Sequence, residues 1–235
     1  MVIDSNSPEH WLVAHRGDRD GGVENTLAAF KFAATRGARF AECDIQFTSD
    51  LIPVVLHDNW LKRLCNRPDI KVMQTDLATL RIICSTDFEL LTLAELLQWL
   101  QGQPQLTMFI EIKPPIRHRL SPAGISGRLA EIIPASQLEQ LVLISQTADI
   151  VDACKTDLGC CTGWVAESRS QPVSAIDYLF MPYSKIDSIP AWQARGIKVG
   201  LYTVNDTDLA SELMAQNADL IETDHFSQMA TSLAR

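Results

Sequence analysis

The sequence predicts an α/β protein: a single closed (β/α)8 barrel of the TIM type, with a small insertion after the second strand region. Three observations carry that expectation. Short apolar runs alternate with helical stretches along the whole chain. The runs that suit parallel strands number eight, each followed by a helix or by space for one. The length, 235 residues, suits one such barrel. At that size about three quarters of the unfolded surface can be buried, so a full core needs no staples.

The elements follow in order. Leu12–His15 is a first strand. A helix over Asn25–Arg36 follows, with Asn25 as its cap, Leu27, Phe30 and Ala34 on one face, and Gly37 ending it. Arg39–Ile45 is the second strand and Pro53–His57 a further extended piece. Leu93–Leu100 is helical, and Leu106–Ile112 is a clear apolar strand. Further strands are Leu141–Ser145, Cys160–Val165, Tyr178–Met181, Ile197–Thr203 and Asp219–Glu222. The helices among them are Gly124–Ile133, Asp149–Thr156, Ala191–Arg195, Asp206–Gln216 and the tail from Phe226. The stretch from Asp58 to Pro104 far exceeds the usual connection of about 2–6 residues. The chain therefore reads as one domain, 1–235, with 58–104 as an inserted subdomain above the barrel. Thr35–Asp44 and Gln216–Asp224 both end in E-x-D, which a shared βα unit explains before any functional echo.

Composition narrows the functions. Hydrophobic residues are 46% and charged residues 21%, which excludes wholesale disorder and low-complexity scaffolds. A net charge of −9 argues against a broad grip on nucleic acid or an anionic membrane. An anionic substrate must then be held by a local cluster of cations. Six cysteines are scattered without C-x-x-C or zinc-type spacing, as expected of reduced thiols in a cytoplasmic protein. Met1–Trp11 lacks the basic start and apolar core of a signal segment, and no apolar run reaches the roughly 18 residues of a membrane span.

Chemistry gathers at strand ends. Glu42 and Asp44 are two apart on a strand and face the same way, toward the C-terminal rim of a barrel. Glu111 and Lys113 end another strand with the same spacing. Three carboxylates suit a hard cation such as Mg²⁺ or Ca²⁺, and a salt-bridge network around Lys113 explains them equally well. His15 and His57 each close an extended run, and two imidazoles beside an acidic trio point to proton transfer. Arg16 offers a planar fork for phosphate oxygens, or a partner for a nearby carboxylate. Trp164 and Tyr202 stand near strand ends, where they wall a pocket or pack the core. Arg117-His118-Arg119 reads as a solvated turn within reach of an anionic headgroup, and His225 as a local cap.

An ordered series of fragments runs through nearly the whole chain: A14-H15-R16-G17, E24-N25-T26, A41-E42-C43-D44, V54-V55-L56-H57-D58, I110-E111-I112-K113, L201-Y202-T203-V204-N205-D206 and I221-E222-T223-D224. Together they resemble the glycerophosphodiester phosphodiesterase family. The resemblance implies a barrel with one divalent metal ion, Mg²⁺ or Ca²⁺, held by Glu42, Asp44 and Glu111. It implies His15 and His57 as the acid–base pair, and Arg16 and Lys113 on the phosphate, with Tyr202 beside the substrate. It implies hydrolysis of a small-molecule glycerophosphodiester to sn-glycerol 3-phosphate and an alcohol. Attack by the glycerol 2-hydroxyl through a cyclic phosphate and direct attack by water both remain open. Four positions depart from the family pattern. Val23 replaces proline, Leu51 a glycine and Tyr202 a tryptophan, and Gln146 stands where phenylalanine is usual. None removes a proposed catalytic group, and those at Gln146 and Tyr202 bear on substrate preference more than on activity. The rival readings are a phospholipase D-type enzyme on lysophospholipid or sphingomyelin headgroups, and a barrel that binds a phosphoester without turnover.

Overall fold

Two-residue alternation along the barrel strands builds the molecule. Strands β1 (Leu12–His15), β2 (Phe40–Phe47) and β4 (Thr107–Ile112) turn Leu12, Ala14, Ala41, Cys43, Met108 and Ile110 outward into one apolar layer beneath the helices. The intervening residues face inward. Val13 and Phe109 join Val142, Ile144, Val165, Phe180 and Leu220 in a separate plug inside the barrel. The Phe109 and Phe180 rings meet edge to face at 4.9 Å. Gly200 makes room for that ring, since a Cβ there would stand 2.4 Å from Phe180. Above this floor the inward positions turn polar, which sets the level of the site.

The structure is a computed structural model that describes residues 7–167 and 171–234, so the start of the N-terminal arm lies outside it. The closing strands are β5 (Leu141–Ser145), β6 (Cys161–Val165), β7 (Tyr178–Pro182), β8 (Lys198–Tyr202) and β9 (Leu220–Thr223). Pairing runs β1-β2-β4-β5-β6-β7-β8-β9 and returns to β1, all parallel, so eight strands close a barrel. The short β3 (Pro53–Val55) is the exception and pairs antiparallel with the end of β2.

Helices α1 (Leu27–Thr35), α4 (Leu93–Leu100), α5 (Pro122–Ala130), α6 (Ala148–Leu158), α7 (Ile189–Gln193), α8 (Thr207–Ala215) and α9 (Phe226–Leu233) lie between or after barrel strands. Two short helices, α2 (Lys62–Cys65) and α3 (Leu77–Cys84), belong to the long connection between β3 and β4. No helix joins β6 to β7 among the described residues. Helix α1 departs from the expected cap. Thr26 accepts from the Ala29 N–H and starts the helix, while Asn25 adopts a left-handed φ of 59° and turns its amide to Asp44. Its buried face is Ala29, Phe30 and Ala33 rather than Leu27, Phe30 and Ala34.

The long connection packs in two parts. Val54, Leu56, Leu61, Val72, Leu80, Cys84 and Leu90 form a small core of their own. Leu93, Leu96, Leu97 and Leu100 of α4 instead belong to the main barrel layer. A capping box between Thr92 and Glu95 fixes the start of α4. The chain thus leaves the barrel after β2, builds a compact lobe at the rim, and rejoins it at residue 91.

Candidate active site

The C-terminal ends of β1, β2, β4 and β9 surround a cavity of about 220 Å³ lined by His15, Arg16, Glu42, His57, Glu111, Lys113, Tyr202 and Glu222, among others. Strand parity explains the set: His15 is level with Glu42, and Asp44 with Glu111, across neighbouring strands. One carboxylate oxygen each from Glu42, Asp44 and Glu111 lies within 4.8 Å of the others, and all three residues are buried. Lys113 reaches back from the strand end, its Nζ 3.0 Å from Asp44 and 3.0 Å from Glu111. Arg16 sits at the left-handed φ of 58°, which aims its backbone N–H at Glu42 at 3.1 Å. Its Nε lies 3.1 Å from Asp44, an ion pair off hydrogen-bond geometry, and Nη1 donates to Glu24 at 3.0 Å. Gly17 completes the turn: a Cβ there would meet Ala29 at 2.7 Å.

Both histidines are held the same way. His15 Nδ1 is 2.9 Å from Asp224, and His57 Nδ1 is 2.7 Å from Asp58. A carboxylate at Nδ1 makes that nitrogen the donor and leaves Nε2 to exchange a proton. Behind them lies a network of ion pairs. Asp224 also accepts from Asn205 at 3.0 Å and pairs with Arg19 at 3.2 Å. Glu24 collects Arg16, Arg19 and Arg63, and Arg63 also donates to Asp58 at 2.8 Å.

The electrostatics of the cavity are unbalanced. Burial pushes Glu42 well above the usual carboxylate range, and the Asp44 and Glu222 charges add to this. Burial likewise raises Glu222, helped by Glu111 and Asp44, and raises Glu111 to about 7. Asp44 moves the other way, because Lys113 and Arg16 outweigh its burial. Four buried acidic side chains thus face two cations, Arg16 and Lys113. Such a set is short of positive charge. An all-oxygen donor set of this kind fits a hard divalent cation. The ion pairs of Lys113 and the capacity to hold a cation therefore coexist in one cluster.

The other singled-out residues divide. Tyr202 lines the cavity and donates its hydroxyl to Glu167 at 3.1 Å. Trp164 is 4% exposed and packs in the core beside Trp192. Arg117 ties its loop to Asp149 at 2.9 Å, Arg119 donates to the Ser49 carbonyl at 2.8 Å, and His118 is exposed; none of the three lines the cavity. His225 meets Asp20 through Nδ1 at 3.0 Å. Residues the sequence reasoning passed over are Glu222, Asp224, Asn25 and Asp58. The E-x-D repeat carried a signal for the first two. Strands β2 and β9 flank β1 on either side, so Glu42 and Glu222 both enter the cavity.

A sequence profile of the glycerophosphoryl diester phosphodiesterase family matches residues 15–228. This chain belongs to that family. Among relatives of the chain, glycerophosphodiester phosphodiesterase 1 of Homo sapiens is 55% identical over 51 residues, 22% of this chain and 15% of the human protein. The glycerophosphodiester phosphodiesterase of Bacillus altitudinis is 31% identical over 141 residues, covering 57% of this chain and 56% of its relative. The matched stretches thus span only part of the relatives' length. The fold matches an Oleispira antarctica phosphodiesterase solved with the product sn-glycerol-3-phosphate, at a TM-score of 0.80, 23% identity, and coverage of 96% and 97%. The Thermotoga maritima glycerophosphodiester phosphodiesterase matches at a TM-score of 0.74 and 22% identity, covering 94% of this chain and 97% of that one.

Proposed function

We propose that this phosphodiesterase-family chain hydrolyses glycerophosphodiesters to sn-glycerol 3-phosphate and an alcohol. The observation that carries the reading is the pair of imidazoles, each fixed at Nδ1 by an aspartate, opening on a carboxylate cluster short of positive charge. The names of the relatives and the product held by the Oleispira antarctica structure support it.

Glu42, Asp44 and Glu111 would hold one divalent cation, Mg²⁺ or Ca²⁺, which supplies positive charge against a non-bridging phosphate oxygen. Arg16 and Lys113 add fixed positive charge for the phosphate where water is partly excluded. One histidine takes the proton of the glycerol 2-hydroxyl as its oxygen attacks phosphorus. The other gives a proton to the leaving alcohol as that P–O bond breaks. Water then opens the cyclic phosphate with the roles reversed, yielding glycerol 3-phosphate. Tyr202 walls the substrate side of the cavity.

The chain works as one unit on this reading, with 58–104 contributing a rim lobe whose own packing ends at Leu90. The cysteines, all unpaired, fit the cytoplasm, and no helix among the described residues is long and apolar enough to cross a membrane. Small diesters, and neither nucleic acid nor membrane, suit the net charge of −9.

Purified protein with Mg²⁺ or Ca²⁺ is expected to release glycerol 3-phosphate from a panel of glycerophosphodiesters, and EDTA to stop it. No product from any diester with either metal would overturn the proposal. Preferred turnover of a lysophospholipid over its deacylated diester would favour the phospholipase D-type reading instead. A cyclic glycerophosphate in rapid-quench samples supports attack by the 2-hydroxyl, and its absence supports direct attack by water.

A further inference from the structure

A second cleft, of about 660 Å³, adjoins the cavity and shares His57 and Lys113 with it. Its outer wall is the rim lobe: Asp58, Trp60, Lys62, Arg63 and Asn66. Lys62 and Arg63 lie on α2, the helix that ends at Cys65. Arg63 is also the residue that holds Asp58, and Asp58 holds His57. Arg63 is tied to Glu24 as well, so a movement at the far end of α2 reshapes the cleft while the support of the imidazole is kept.

Two thiols stand behind that helix. Cys65 Sγ lies 3.7 Å from the Sγ of Cys84, the last residue of α3 and 19 positions further along the sequence. Cys84 is wholly buried in the lobe's small core, while Cys65 is half-buried and packs against it. Cys43 and Cys154, by contrast, are buried in the barrel layer. We propose that Cys65 and Cys84 are a modification site, a dithiol that closes to a disulfide on contact with a peroxide and draws α2 toward α3.

The arrangement assigns the roles. Cys65, nearer solvent, attacks peroxide as its thiolate, forming a sulfenic acid and releasing water once a proton is returned. Cys84 then attacks the Cys65 sulfur, the S–S bond forms, and a second water leaves. Two thiols lose two electrons, and one peroxide becomes two waters. Burial raises Cys65 and pushes Cys84 up to about 12, so both are protonated at neutral pH and closure accelerates as pH rises. A disulfide needs a sulfur separation of about 2 Å, so closure shortens the present gap. That movement pulls the end of α2 and the adjoining Asn66, which takes a left-handed φ of 51°, back from the cleft. The kinetic consequence rests on the diesterase reading: the leaving alcohol is gripped differently, so KM responds more than kcat.

The test uses the full-length reduced protein, before and after hydrogen peroxide, read by thiol titration, non-reducing peptide mapping and steady-state kinetics on a glycerophosphodiester. The expected result is loss of two of the six thiols, a linked Cys65–Cys84 peptide pair, and reversal by dithiothreitol. KM is expected to shift by about threefold or more with kcat within about twofold. The C84S and C65S variants should each retain turnover, form no link between positions 65 and 84, and keep their KM after peroxide. Retention of all six thiols, a link between other cysteines, or a link that forms only in urea would overturn the site. A mapped link that leaves KM unchanged would overturn its coupling to the cleft. Absence of turnover in the reduced protein would count against the diesterase reading alone, because peptide mapping judges the thiol pair independently.

Discussion

The two histidines face one cavity from different kinds of scaffold. His15 closes a strand of the closed barrel, and its partner Asp224 comes from the neighbouring strand end, 209 positions away. The side chains of this pair are 13% and 10% exposed. His57 follows a short antiparallel strand at the start of the rim lobe, and its partner is the next residue, Asp58. That pair is 33% and 23% exposed. One imidazole is thus fixed by long-range closure of the barrel. The other is fixed locally, through a chain that runs from Asp58 to Arg63 to Glu24. Equal geometry at the ring has been reached by unequal means, and the two supports should fail differently.

The largest expected effect removes the rings themselves. His15→Ala and His57→Ala should each lower turnover by about 10²–10⁴-fold while circular dichroism and thermal unfolding show a retained fold. Full activity in either variant would remove that histidine from the mechanism. The next comparison removes the supports. Asp224→Asn should lower kcat by roughly 10–100-fold, since it belongs to the more buried pair, and Asp58→Asn should cost less because its site is more open. Equal losses would mean that burial of the pair does not set its importance.

Protonation separates the two sides further. Burial holds His57 below its ordinary value of 6.5, with Lys113 and Arg16 adding to this, so its neutral form persists to lower pH. The acid limb of kcat/KM assigned to it should therefore lie below that value, and a limb above it would contradict the burial argument. The smallest effect is on stability. His15 and Asn205 hold Asp224 down to about 2 against its burial, from an ordinary value of 3.8. A carboxylate lowered in the folded state contributes stability above its unfolded value, and this is lost as pH falls toward about 2. The contribution is at most about 2 kcal/mol. Asp224→Asn should flatten the acid limb of an unfolding curve measured between those pH values, and an unchanged limb would show that other groups carry it.

Much of this was legible in the chain. Strand parity alone put Glu42 and Asp44 on one face, and Glu111 and Lys113 on another, because the two-residue period survives any error in strand ends. Eight parallel strands followed from the rhythm of apolar runs. Asn25 misled because asparagine serves both as a helix cap and in left-handed turns, and only the nearby Asp44 decides between them. The pairing of His15 with Asp224 was invisible because nothing local links residues at opposite ends of a chain; barrel closure creates the contact. Glu222 was half legible. Its E-x-D match to Glu42 is plain in the sequence, but the symmetry acquires meaning only because β2 and β9 flank β1. The lobe's length was visible, whereas its division at residue 91 depends on which leucines join which core.

The proposed chemistry on both sides of the cavity depends on a cation among Glu42, Asp44 and Glu111. Calorimetric titration of the metal-free protein with Mg²⁺ and with Ca²⁺ tests this most directly, repeated on Glu42→Gln and Glu111→Gln. One ion is expected to bind per chain for at least one of these metals, with binding lost or greatly weakened in both variants. No binding of either ion, or binding that both variants leave unchanged, would contradict it.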